Sequence, residues 1–181
     1  MNCWKTFNIF KQLGTTRLMV VSLGGAMSFY ILFYLLMTVN GYNGPFRFNM
    51  LLFLGSIILV LPLHKLLHCL PAWLSGHEAR VYFEKGQWMP RMQCVIPGAM
   101  PKKRYMSVTL APFVILSLFS LGMTFTFPEE VHYLSAIGSL NFGMSVADIL
   151  YFAHIVRAPA QSWVEEGPGH CRILIKNHEI A

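Results

Sequence analysis

The chain is short of charge. Asp, Glu, Lys and Arg make up 12% of its 181 residues, while 55% are hydrophobic. An ordinary soluble domain is about 25% charged. With a mean hydropathy of +0.50, this excludes a soluble globular domain and points to an integral membrane protein. Acid is scarcer than base, at eight Asp and Glu against fourteen Lys and Arg, for a net charge of +6. The basic residues fall in particular loops, so they read as topology rather than as a nucleic-acid surface. Cysteine is also scarce. Cys3, Cys69, Cys94 and Cys171 form no C-x-x-C pair and no disulfide spacing. They read as separate thiols in a reducing or buried setting.

Long apolar runs are what the chain does have. Residues 18–39, 48–73, 105–126 and 132–157 are each long enough to span a hydrocarbon core of about 30 Å. The first of these is too long to be the h-region of a signal peptide. The expected fold is an all-α polytopic membrane protein of about four transmembrane helices, forming a single membrane domain over residues 1–181. Gly24, Gly25 and Ala26 in the first span, and Gly138, Gly143 and Ser145 in the last, are small enough for close helix packing. Pro112 removes one backbone bond from the third span. Trp4, Phe7 and Phe10 recur at helical spacing among lysines, which leaves two readings of residues 2–13, a short interfacial helix or a frayed terminus. Residues 77–98 hold short β-prone runs around Gly86 and predict a small cytoplasmic β-hairpin or sheet. The tail, 158–181, predicts a second hairpin around Gly167-Pro168-Gly169.

Positive charge sets the expected orientation. Lys5, Lys11 and Arg17 precede the first span. Arg80, Lys85, Arg91, Lys102, Lys103 and Arg104 lie between the second and third, and Arg157, Arg172 and Lys176 follow the fourth. The positive-inside rule puts both termini and the hairpin loop in the cytoplasm of a multi-pass protein of the cell membrane. The Met100–Tyr105 segment would also touch anionic lipid.

The chemistry concentrates in Leu63-His64-Lys65-Leu66-Leu67-His68. On a helix His64 and His68 share a face, roughly 5–6 Å apart at Cβ. This is how H-E-x-x-H holds zinc. Here Lys65 stands where that motif has Glu. A third protein ligand is needed. Seven of the eight carboxylates lie in loops or tails, and Asp148 alone lies inside a span. An intramembrane carboxylate marks a functional site by default. Its depth matches that of the histidines, so His64, His68 and Asp148 can meet. Asn141, seven residues earlier, lies on nearly the same helix face. The plain alternative is two histidines hydrogen-bonded across a bundle; the Asp at matching depth favours a shared polar site. His154 faces away from Asp148 by helical spacing and reads as interfacial.

These segments, in this order, resemble the family catalogued as DUF3267, putative zincin peptidases of bacterial membranes, and more distantly the site-2-type intramembrane metalloproteases. The matching features are His64-x-x-x-His68 after an apolar run, Pro101-Lys102-Lys103-Arg104-Tyr105 leading to Leu110-Ala111-Pro112, and the Asn141–Ile149 segment. The resemblance covers roughly residues 45–175. It implies His64, His68 and Asp148 as zinc ligands and a catalytic Glu at position 65, where this chain departs from the pattern.

A protonated Lys takes no proton and sets a positive charge beside a dication. Two arrangements follow. Lys65 pairs with Asp148 in a site that has lost its zinc, or burial neutralises Lys65 and zinc is retained. The first is the favoured expectation and makes the chain a pseudoprotease. Glu78 could enter only if the hairpin folded back over the site. The competing function is a non-enzymatic membrane adaptor that binds a peptide or a membrane protein. A transporter or proton relay is poorly served by one carboxylate in four spans.

Overall fold

The chain opens with a strand. In this computed structural model, which describes residues 1–42, 49–84, 91–167 and 170–175, residues 2–13 form strand β1 (Asn2–Phe7) and a short helix α1 (Ile9–Leu13). The interfacial-helix reading of 2–13 is therefore corrected. The cause is a partner distant in sequence. β1 pairs antiparallel with β6 (His170–Ile175), with Asn2 opposite Ile175 and Phe7 opposite Cys171. Phe7 and Ile9 are buried. Pairing and burial override the local helical spacing.

The four apolar runs are helices α2 (Thr15–Val39), α3 (Met50–Leu74), α4 (Lys102–Thr126) and α5 (Val131–Val156). Three have 25 residues and one has 26. At roughly 1.5 Å per residue each exceeds the ~30 Å core. All four are long and apolar enough to cross a membrane, which makes this a multi-pass membrane protein. Leu23, Leu32, Leu51 and Leu59 are exposed on α2 and α3, as a lipid-facing surface requires. Asn49 starts α3 by accepting from Leu51 and Leu52 N–H.

Helix α5 packs between α2 and α4, and α3 packs on α4 while also reaching α5. Small residues allow the α2–α5 approach. A Cβ on Gly143 would stand 3.0 Å from Ala26 Cβ, and one on Gly25 would stand 3.0 Å from the Phe142 ring. Gly24 faces open space.

Two antiparallel sheets complete the fold. Strands β2 (Arg80–Glu84) and β3 (Arg91–Val95) form the first predicted hairpin, with Arg80 opposite Val95. Its tip, including Lys85 and Gly86, lies outside the described residues. Strands β4 (Ala99–Pro101) and β5 (Trp163–Gly167) join β6 and β1 in a four-stranded sheet of order β1-β6-β5-β4. The β5–β6 hairpin matches the prediction for the tail; Pro168, Gly169 and residues 176–181 lie outside the described residues. The sheet docks through Val164, Cys171 and Ile173 against Ala72 of α3 and Tyr105 and Val108 of α4. Lys102 ties the same region together. Its Nζ donates to the Val156 and Ala158 carbonyls at 2.9 and 2.6 Å, closing the C-terminus of α5. One of the three basic residues expected at the lipid surface is thus a helix cap.

The reading of four separate thiols is corrected as well. Cys69 of α3 and Cys94 of β3 are joined as a disulfide, with Cα atoms 6.2 Å apart. Their separation of 25 residues in sequence gave no spacing signal; β3 packing on α3 brings them together. Cys3 and Cys171 are free.

Candidate metal centre

Two turns of α3 and one of α5 build the site. His64 is fully buried, and His68 and Asp148 are largely buried beside it. The rings of His64 and His68 stand edge to face with centroids 5.2 Å apart. His64 Nε2 lies 3.2 Å from Asp148 Oδ2, and His68 Nε2 lies 3.4 Å from the same oxygen. The expected meeting of these three residues is what the structure has.

The outer nitrogen of each ring is held by a group that fixes its proton. His68 Nδ1 is 2.9 Å from the Val108 carbonyl oxygen. A carbonyl only accepts, so Nδ1 carries the hydrogen. His64 Nδ1 is 2.9 Å from Asn141 Oδ1. The Asn141 amide nitrogen donates to the Phe113 carbonyl at 3.3 Å and to Ser117 Oγ at 3.4 Å. This orients Oδ1 as the acceptor toward His64, so Nδ1 carries the hydrogen there too. Asn141, on α5 with Asp148, thus meets the outer nitrogen of His64.

The consequence is chemical. In their neutral forms both histidines turn an Nε2 lone pair toward a carboxylate oxygen. Three acceptors then face one another with no hydrogen between them. A proton on one or more of these groups, or a cation standing among the three, satisfies them. The ligand atoms all lie within 4.8 Å of one another. Two ligands about 2.05 Å from one ion at a tetrahedral angle stand roughly 3.3 Å apart. The two nitrogen-to-oxygen separations bracket that value. Imidazole and carboxylate together suit zinc. The cluster is thus capable of coordinating a metal, and the held outer nitrogens are the usual support of such ligands.

Lys65 does not take the expected role. It is exposed. Among the described residues Asp148 makes its ion pairs with His64 and His68, and Lys65 makes none. The anticipated buried Lys65–Asp148 pair is corrected: both histidines already converge on the carboxylate oxygen that Lys65 would have used. Glu78 stays out of the site, paired with Arg80 at 2.9 Å on the surface. His154 stacks on Phe7 with centroids 5.0 Å apart, away from the cluster.

Sequence reasoning passed over Glu166 and Tyr105. Glu166 of β5 lies within electrostatic reach of His68, Lys65 and Asp148, with the Tyr105 hydroxyl as its side-chain hydrogen-bond partner. Although the residue is exposed, local desolvation raises the Glu166 carboxyl above the usual carboxylate range, opposed by nearby His68 and Lys65. Glu166 itself is exposed on β5, so strand alternation gave no signal for it.

A four-helix membrane bundle carrying a His, His and Asp cluster defines a zincin-like membrane protein. Residues 57–163, more than half of the chain, match the family DUF3267, described as "Putative zincin peptidase", and the chain belongs to it. No curated protein and no solved structure matches the chain.

Proposed function

We propose that this protein is a zinc-binding membrane protein of the metallopeptidase type in which hydrolysis is impaired. His64, His68 and Asp148 are the proposed ligands. One observation carries the reading: two Nε2 lone pairs and a carboxylate oxygen converge within 4.8 Å of one another, a donor set that suits zinc. Zinc held there supplies Lewis-acid polarisation of a carbonyl and activation of water. The chain's own residues do the rest. Asn141 and the Val108 carbonyl hold the ring tautomers. Lys65, the residue in the usual position of the base, is exposed and cannot accept a proton in its charged form. Helix α3 therefore keeps the binding half of the H-E-x-x-H motif and lacks the proton-transfer half. The charge distribution supports both termini and the sheets in the cytoplasm, within a single membrane domain.

Metal analysis of the purified full chain tests this. The native protein should hold one zinc and His64→Ala none. Lys65→Glu should bind zinc more tightly and hydrolyse a test peptide faster than native. A native protein without metal under zinc-replete conditions would overturn the reading.

A second reading, a non-enzymatic adaptor, is favoured by the β2–β3 hairpin. Neither strand pairs with a third among the described residues, so both outer edges can add a peptide strand.

A further inference from the structure

Helix α4 contributes no proposed ligand, yet it holds both ligand histidines by their outer nitrogens. It reaches His64 through Asn141, whose amide nitrogen donates to the Phe113 carbonyl and to Ser117 Oγ. It reaches His68 directly, with Nδ1 2.9 Å from the Val108 carbonyl oxygen. A carbonyl inside an α-helix ordinarily accepts from the N–H four residues further on. For Val108 that residue is Pro112, which has no N–H. The helix runs through this point unbroken, from Lys102 to Thr126, and both Val108 and Pro112 are buried. A proline ring also crowds the carbonyl four residues before it. In an apolar surrounding, a carbonyl released in this way needs another donor. Helix α3 packs on α4, and the ring of His68 supplies that donor.

From this geometry we infer that Pro112 is a positioning residue of the metal centre: by withholding an N–H it releases the Val108 carbonyl to hold the Nδ1 hydrogen of His68, and so turns Nε2 toward Asp148. The inference rests on the zinc-site reading and deepens it. His68 Nε2 stands 3.4 Å from Asp148 Oδ2, and the acceptor at Nδ1 fixes both the tautomer and the plane of the ring. The two histidines are thus held by different devices, His64 by an amide side chain and His68 by a backbone oxygen that the helix does not use. Any residue with an N–H at position 112 would compete for that oxygen. A carbonyl oxygen has two lone pairs, so the competition weakens the bond to His68 rather than removing it, and it draws the carbonyl back toward the helix axis.

The test separates the missing N–H from the proline ring. Pro112→Ala removes the ring and restores the N–H. A lactate residue at position 112 carries the same methyl side chain but has an ester oxygen in place of the N–H, so it removes the ring alone. The full chains in detergent are compared by zinc titration and by the NMR signal of the His68 Nδ1 hydrogen in isotope-labelled protein, assigned by its loss in His68→Gln. Pro112→Ala should bind zinc roughly tenfold more weakly than native, and its His68 signal should move upfield as the hydrogen bond lengthens. The lactate variant should match native in both. Equal loss in the two variants would assign the effect to packing of the ring and overturn the inference while the zinc site stands. Native affinity in Pro112→Ala would overturn it in the same way. A native protein that binds no zinc overturns the zinc-site reading and the metal part of this inference; an unmoved His68 signal in Pro112→Ala overturns the rest.

Discussion

His64 Nδ1 lies 2.9 Å from Asn141 Oδ1, and that contact decides which nitrogen His64 offers to Asp148. The Asn amide is itself fixed, because its nitrogen donates to Phe113 and Ser117 on α4. Three helices thus set the protonation of one ring. Without Asn141 the imidazole is free to flip or to move its proton to Nε2, where it would block a ligand position.

Asn141→Leu should accordingly weaken zinc binding by roughly ten- to a hundredfold without removing it, as loss of such a support typically does. His64→Ala should abolish binding. Isothermal titration of the purified chain separates the two. Equal loss in both variants would mean that Asn141 supports the fold rather than the ring. Native affinity in Asn141→Leu would mean that another group holds the tautomer.

Much of this site was legible in the sequence, because its parts are local or rare. His64 and His68 share a helix face by spacing alone. Asp148 stood out as the one carboxylate in an apolar run. What the sequence left hidden is non-local. β1 is a strand because residues near position 175 pair with it, and nothing within Asn2–Phe7 announces that partner. Cys69 and Cys94 meet because β3 packs on α3. The Lys65–Asp148 pair was expected because the charges match. Charge alone could not reveal that both histidines reach the carboxylate first.

Lys65 is exposed and free of ion pairs among the described residues. Lys65→Met should change stability by no more than about 0.5 kcal/mol, as surface changes usually do. Combining it with Asp148→Asn should restore nothing that Asp148→Asn loses. Thermal denaturation in detergent measures both. Strong destabilisation by Lys65→Met, relieved by Asp148→Asn, would revive the buried pair.

The charge distribution predicts which residues share a side of the membrane. Glu78 lies before the β2–β3 hairpin and Glu129 in the short link between α4 and α5, and both are exposed. In a Cys3→Ser background, Glu78→Cys should react with an impermeant maleimide only from the cytoplasm, and Glu129→Cys only from the opposite side. Labelling of both from one side would remove the expected topology.

Burial also makes a prediction about alkali. Desolvation first, and the charge of Glu166 second, push the Cys171 thiol up to about 12 from an ordinary value of 9.0. The folded state therefore holds this proton more tightly than the unfolded state does. The stability this confers is fully present below pH 9 and is lost as pH rises from there toward 12. Neighbouring Tyr105 also bonds to this thiol, so the native profile alone does not isolate it; Cys171→Ala does. Native protein should lose thermal stability more steeply than Cys171→Ala between pH 9 and pH 11. At pH 8 the same burial should keep Cys171 unreactive toward maleimide while exposed Cys3 is labelled quantitatively. Parallel stability profiles for native and variant, together with rapid labelling of Cys171 in the folded protein, would mean that β6 opens readily and does not seal the sheet against α4.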